Sequence, residues 1–212
     1  MKIPRHPARL AGAVLVLALA AGCSTKHVSR IEPGTVTDLS GRWNDTDSRL
    51  VANALIEQSL LAPWIERHEG ASGGAAPAVI VGDFRNRSRE HIPVETFLND
   101  LELSYINSGV VTVVAGGAER QEIRAERDDQ QEFARAGSRA RLGQELGADY
   151  ILQGELQSIE DEEETTRFGA TRKEKIVFYQ VDARLIDLES NAVVWAGQHK
   201  IKKYIERRPY GL

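Results

Sequence analysis

The chain contains a single cysteine, Cys23. No internal disulfide can form, so whatever folds must be held by an apolar core. The same residue closes an N-terminal leader. Lys2, Arg5 and Arg9 make a basic start, and Leu10 to Ala21 is an apolar, small-residue run broken only by Gly12. Ala20-Ala21-Gly22-Cys23 then leads into polar Ser24-Thr25-Lys26. A basic start, a short apolar core and a small-residue cleavage site describe an export signal. The apolar run is about a dozen residues, against the ~20 needed to cross a bilayer as a helix. A transmembrane anchor is the weaker reading.

The placement of Cys23 resembles the lipobox of bacterial lipoproteins. That resemblance implies cleavage before Cys23, a thioether link to diacylglycerol and acylation of the new amine. Ala20 stands where the motif most often has leucine. Ser24, rather than aspartate, after the cysteine suggests sorting to the outer membrane. The alternative is a conventional signal peptide that happens to end near a cysteine. Each buried CH₂ contributes ~0.8 kcal/mol and one acyl chain anchors only marginally, so several together give a lasting attachment.

Loss of the leader removes Lys2, Arg5 and Arg9 from 27 basic residues, leaving 24 against 31 acidic ones and a net charge of −7. Such a balance argues against nucleic acid or anionic lipid as the main partner. The expected organisation is a signal peptide over 1–22, a lipidated N-terminus and tether over 23–37, one globular domain over 38–206 and a tail over 207–212. The tether is polar with a single proline, Pro33. Its roughly 14 residues after Cys23 reach about 50 Å when extended and about 20 Å as a flexible coil.

Within the domain, Asp45 to Ser48 offers N-cap residues, and Leu50, Val51, Ala54, Leu55 and Leu61 recur at helical spacing, which predicts a helix from Thr46 to Ala62. Pro63 ends it, and Trp64-Ile65 return to the body. Gly70 to Pro77 is a loop, and Ala78 to Phe84 a buried strand. After the polar loop Asn86–His91, Pro93 opens a helix carrying Phe97, Leu98, Leu101, Leu103, Tyr105 and Ile106, with Gly109 just past its end. Val110 to Val114 reads as another buried strand, and Gly116 to Gln131 as a surface helix leading into a loop. Ser138 caps a short helix with Leu142 and Leu146 on one face and Gly147 as its stop. Tyr150, Leu152, Gly154 and Leu156 form one face of a strand. The acidic run Glu160–Glu164 is a solvated turn. Val177, Tyr179, Val181, Ala183 and Leu185 alternate toward one face, Asp187–Asn191 turns, and Val193 to Ile201 returns with Trp195. The last three strands form an antiparallel meander. The fold class is α+β or α/β: a mixed, mainly antiparallel sheet flanked by helices.

The five histidines, His6, His27, His68, His91 and His199, lack metal-ligand spacing. No H-E-x-x-H, C-x-x-C or G-x-S-x-G occurs, and Gly116-Gly117 lacks the rest of a P-loop. The sequence therefore predicts no catalytic residue, no cofactor and no metal, and a protein that is not an enzyme.

Several segments together are more specific. They are Asp38–Ser48, Ala62-Pro63-Trp64, Val81–Ser88, His91-Ile92-Pro93, Glu119-Arg120-Gln121 with Glu126-Arg127, Gly147–Gly154 and Val194-Trp195. In combination they resemble the LpoB-type penicillin-binding protein activators. Gly147–Gly154 alone also occurs in TolB-like and curli-secretion lipoprotein domains. The resemblance implies a domain similar to the TolB N-terminal domain. It also implies a monomeric outer-membrane lipoprotein facing the periplasm, which binds a bifunctional class A penicillin-binding protein and stimulates peptidoglycan synthesis. The enterobacterial members carry a long proline-rich tether, which this chain lacks. The family's contact surface is not marked by a short motif, so the candidate surface rests on charge: Arg85, Asn86, Arg87 and Arg89 make a basic loop on an acidic protein. A structural or secretion-linked lipoprotein of the same fold is the competing class.

Overall fold

The computed structural model describes residues 28–167 and 170–207. The leader, Cys23 and residues 208–212 lie outside the described residues. The folded body begins at Val36.

Asn44 is extended (φ −141°), and its side chain accepts the Asp47 N–H at 3.2 Å. The Asp47 carboxylate accepts the Asn44 N–H in return at 2.9 Å. This capping box starts α1, Asp45–Leu60. Its buried stripe is Val51, Ala52, Leu55, Ile56 and Ser59. Leu50 and Leu61, expected on that stripe, point away from it and are 49% and 79% exposed. Beyond Pro63 the returning chain is itself a helix, α2, Trp64–Ser72. The Trp64 indole donates to the Ser59 carbonyl at 2.8 Å and so locks α2 to the end of α1.

Strand β1, Ala78–Asn86, is followed by α3, Glu95–Ser108, which buries Phe97, Leu101 and Tyr105 and ends where Gly109 takes a left-handed conformation (φ 66°). Leu103 and Ile106 lie on its exposed side. Then come β2, Thr112–Val113, and α4, Gly117–Phe133. The long strands β3, Tyr150–Arg167, β4, Ala170–Asp187, and β5, Val193–Arg207, complete the sheet.

The sheet order is β2-β1-β3-β4-β5. β1 runs parallel to β2 and β3, while β3-β4-β5 is the expected antiparallel meander. The predicted one-sided alternation holds. Val177, Val181 and Ala183 are 1% exposed, and Tyr179 and Leu185 are fully buried. They meet Val51, Leu55, Phe97 and Leu101 from α1 and α3 in one core. Full burial of a side chain of this size contributes ~1.5–3 kcal/mol. Gly154 is required where β3 passes between Phe84 and the Asp182 carbonyl, because a β-carbon there would overlap both.

Three further expectations fail for identifiable reasons. The acidic run Glu160–Glu164 is not a turn but lies inside β3, where Glu162 and Glu164 stand opposite Lys175 and Lys173. Lys175 pairs with Glu160 at 2.9 Å and Lys173 with Glu164 at 2.6 Å, and opposite charges across a ladder support extended pairing. The helix expected around Leu142 and Leu146 does not form. Only a 3₁₀ turn, Ala136–Ser138, is present, and Leu142 and Leu146 are more than half exposed. A short helix with no surface to cover is not stable by itself. The expected strand Val110–Val114 shrinks to two residues at the sheet edge, with only Val111 buried.

Candidate functional site

The loop after β1 is tied from within. The Asn86 side-chain oxygen accepts the Ser88 N–H (2.9 Å) and hydroxyl (2.7 Å), while its amide donates to the Glu90 carbonyl at 2.8 Å. Asn86 therefore holds the loop in shape. Glu90 is held from below. Its carboxylate accepts the Tyr179 hydroxyl at 2.5 Å and the Trp43 backbone N–H at 3.2 Å. The Trp43 ring meets Tyr179 edge-on, with centroids 5.4 Å apart. Burial, reinforced by the bond to Glu90, pushes the Tyr179 hydroxyl far above the usual tyrosine range, so it stays a donor.

A second anchor sits at Lys203, which is 9% exposed. Its ammonium donates to Asp47 at 2.6 Å, Asp38 at 2.7 Å and the Arg42 carbonyl at 3.0 Å. Burial by itself lowers the Lys203 pKa, but the bonds to Asp38 and Asp47 outweigh it and hold the group above the usual lysine value. The bond to Lys203 in turn lowers the Asp38 carboxyl. Segment 38–43 is thus clamped to β5 and to the first turn of α1.

Between these two anchors lies a groove of about 540 Å³. Its walls include Arg42, Trp43, Arg89 and His91, and Glu160 and Lys175 reach in from the long strands. Lys175 is neutralised by Glu160. Among the described residues neither Arg42 nor Arg89 has an acidic partner. Arg207, also without an ion pair among the described residues, joins them in the lining, as do the carboxylates of Glu90 and Glu162. The groove therefore offers three guanidinium groups outside any ion pair on an acidic chain, suited to carboxylate or another anion.

All four residues of the predicted basic loop are exposed, and their surroundings differ. Arg89 lines the groove. Arg85 lines a separate concavity of about 250 Å³ with Asp83, Glu155, Asp182 and Arg184. Arg87 is paired with Glu155 at 3.2 Å. Sequence reasoning did not single out Arg42 or Trp43. Both lie in the family-like stretch Asp38–Ser48, which was the available signal.

At the opposite end of the sheet, His68 from α2 meets the Tyr150 hydroxyl at 3.0 Å and lies 3.7 Å from Asp149. Asp149 accepts the first N–H of β1, that of Ala78, at 2.8 Å. This cluster joins α2 to the starts of β1 and β3. Among the described residues no group of three or more His, Cys, Asp or Glu could hold a metal ion, and no helix is long and apolar enough to cross a membrane.

The model of the family described as peptidoglycan-synthase activator LpoB matches residues 47–201. Among solved structures, the LpoB C-terminal domain from Escherichia coli is 15% identical, with a TM-score of 0.38, over 72% of this chain and 98% of that one. The LpoB C-terminal domain from Salmonella enterica is 15% identical, with a TM-score of 0.35, over 66% and 94%. Lipoprotein GNA1162 from Neisseria meningitidis is 16% identical, with a TM-score of 0.33, over 60% and 83%. No curated protein matches the sequence significantly.

Proposed function

The chain belongs to the family of peptidoglycan-synthase activators LpoB, and from that premise we propose that it binds a bifunctional class A penicillin-binding protein and stimulates it. In this reading it is a monomeric outer-membrane lipoprotein, anchored through Cys23 and facing the periplasm, and the synthase performs the chemistry. The observation that carries the reading is the family match over 47–201, which spans the body from α1 through most of β5.

The surface we assign to the synthase is the groove beside Arg42 and Arg89, flanked by Arg85, Asn86 and Arg87. To activate, the protein must bind the synthase's working conformation better than its resting one, since equal affinity shifts nothing. Tenfold stimulation through such a shift takes about 1.4 kcal/mol of differential binding.

From Cys23 to the start of the body the chain reaches about 45 Å when extended. A synthase partner must therefore rise close to the outer membrane. The deciding experiment incubates the processed, lipid-bearing protein with each class A synthase of the organism, followed by pull-down and a glycan-polymerisation assay. Binding with faster polymerisation supports the reading. If every synthase fails to bind, the synthase is not its partner.

A further inference from the structure

β5 forms one edge of the sheet. Part of that edge is closed by side chains. The Gln198 N–H donates to the Gln58 side-chain oxygen and its carbonyl accepts the Gln58 amide, both at 3.2 Å, so α1 supplies the pair of bonds that a neighbouring strand would. Arg67 donates to the Val194 carbonyl at 3.3 Å. These contacts fix which peptide groups of β5 face away from β4. By the alternation of an antiparallel ladder, the next outward-facing groups are those of Lys200, Lys202 and Tyr204. Among the described residues these peptide groups have no partner.

The three side chains are exposed as well. Lys200 and Lys202 enter no ion pair among the described residues. Along the strand runs an open groove of about 500 Å³, walled by Leu39, Ser40 and Gly41 on one side and Lys202 and Tyr204 on the other; the two carboxylates that also line it, Asp38 and Glu206, are each held in an ion pair, with Lys203 and Arg172. Leu39, 94% exposed, stands on its rim.

We propose that Lys200–Tyr204 is a strand-addition site for an extended acidic segment of a partner protein. A free backbone edge supplies main-chain bonds to any extended peptide, and the flanking side chains select the sequence. Lysines on an edge guard it against pairing, but the guard is selective. Two copies of β5 set side by side bring Lys200 and Lys202 against their counterparts, and like charges opposed across a ladder repel. A strand with Glu or Asp at alternate positions meets the same lysines with attraction. The site adjoins the Arg42–Arg89 groove, sharing Ser40, Gly41, Ile205 and Arg207 with it, but it rests on the free backbone edge of β5 and does not depend on the synthase reading.

The test uses the whole processed protein and two synthetic peptides, one of alternating glutamate and valine and one of alternating lysine and valine. Hydrogen exchange across residues 198–206 and binding affinity are read together. The glutamate peptide should slow exchange at Lys200, Lys202 and Tyr204, and bind about tenfold or more tighter than the lysine peptide, with the difference shrinking in salt. Lys202→Pro removes an N–H that faces away from β4, so it should abolish protection while leaving the fold intact. Lys200→Glu with Lys202→Glu should invert the preference between peptides, whether or not the proline variant folds. Absence of protection, equal binding of both peptides, or a dimer of the free protein formed through this edge would each overturn the proposal.

Discussion

The Tyr179 hydroxyl reaches Glu90 across 89 positions of sequence and bonds its carboxylate at 2.5 Å, from a side chain with no exposed surface. This contact joins the middle of β4 to the loop that presents Arg89. Tyr179→Phe keeps the ring and removes the donor, leaving a part-buried carboxylate short of a partner. The expected cost is about 2 kcal/mol of stability, as for a hydrogen bond to a charged group. Urea unfolding reads the cost, and hydrogen exchange should show the 86–92 loop opening faster. An unchanged midpoint would mean that Glu90 is equally well solvated without it.

Lys203→Met removes the donor of the clamp and leaves Asp47, 4% exposed, without its cation. Losing one partner of a buried pair costs about 3–5 kcal/mol. The pH dependence has a sign on each side. The Lys203 pKa is raised on folding, so its contribution is complete below about 10.5 and fades as pH rises through the folded value. The Asp38 pKa is lowered, so its contribution is complete above about 3.8 and fades as pH falls through the folded value. The stability gap between wild type and Lys203→Met should therefore be widest between these limits and narrow at both ends. A gap independent of pH contradicts the ion-pair account.

Thr46 is 4% exposed, and its hydroxyl finds no partner among the described residues. Thr46→Val has nearly the same shape without the polar atom. It should raise stability by about 1 kcal/mol, because an unsatisfied buried hydroxyl is costly. A loss measured by thermal unfolding would reveal a partner for that oxygen, such as a bound water.

Arg42 and Arg89 are predicted to act together on a synthase. Arg42→Glu with Arg89→Glu should weaken synthase binding about tenfold or more, consistent with reversal of charge at an interface, and should leave the unfolding midpoint nearly unchanged. Arg87→Glu opposes Glu155 directly and should show more effect on folding than on binding. Surface plasmon resonance alongside circular dichroism separates the two effects. Full binding by the Arg42/Arg89 double variant would remove the groove from consideration.

Local rules carried the sheet well. The alternation Val177–Leu185 was legible because one face is buried and the other is not, and the stops at Pro63 and Gly109 were legible because backbone chemistry allows little else there. The acidic run Glu160–Glu164 was misread because its explanation sits on another strand. Lys173 and Lys175 pair with Glu164 and Glu160 at its two ends, and these lysines are recognisable as its complement only once the strands are paired. Leu142 and Leu146 had helical spacing, but nothing in the fold faces them. The site was less legible than the fold. Asn86 belongs to the loop's internal bonding, and Arg85 and Arg89 line separate concavities although they are close in sequence. The clamp that shapes the groove joins Lys203 to Asp38 across 165 positions, a pairing that no local pattern announces.

That clamp also determines how tension enters the molecule. A pull on the chain from its N-terminal side meets the Asp38–Lys203 ion pair, and the Asn44 amide bonds to Thr37 and Asp38, before it reaches the ladder between β4 and β5. Charge contacts between side chains yield before a strand ladder loaded along its length. Release of Val36–Arg42 would free about 24 Å of further chain, as far as Trp43, which packs on the core. In a chain tethered through its N-terminal side, as proposed above, this segment would be a reserve of slack, held by the Lys203 clamp and by the Asn44 bonds to Thr37 and Asp38.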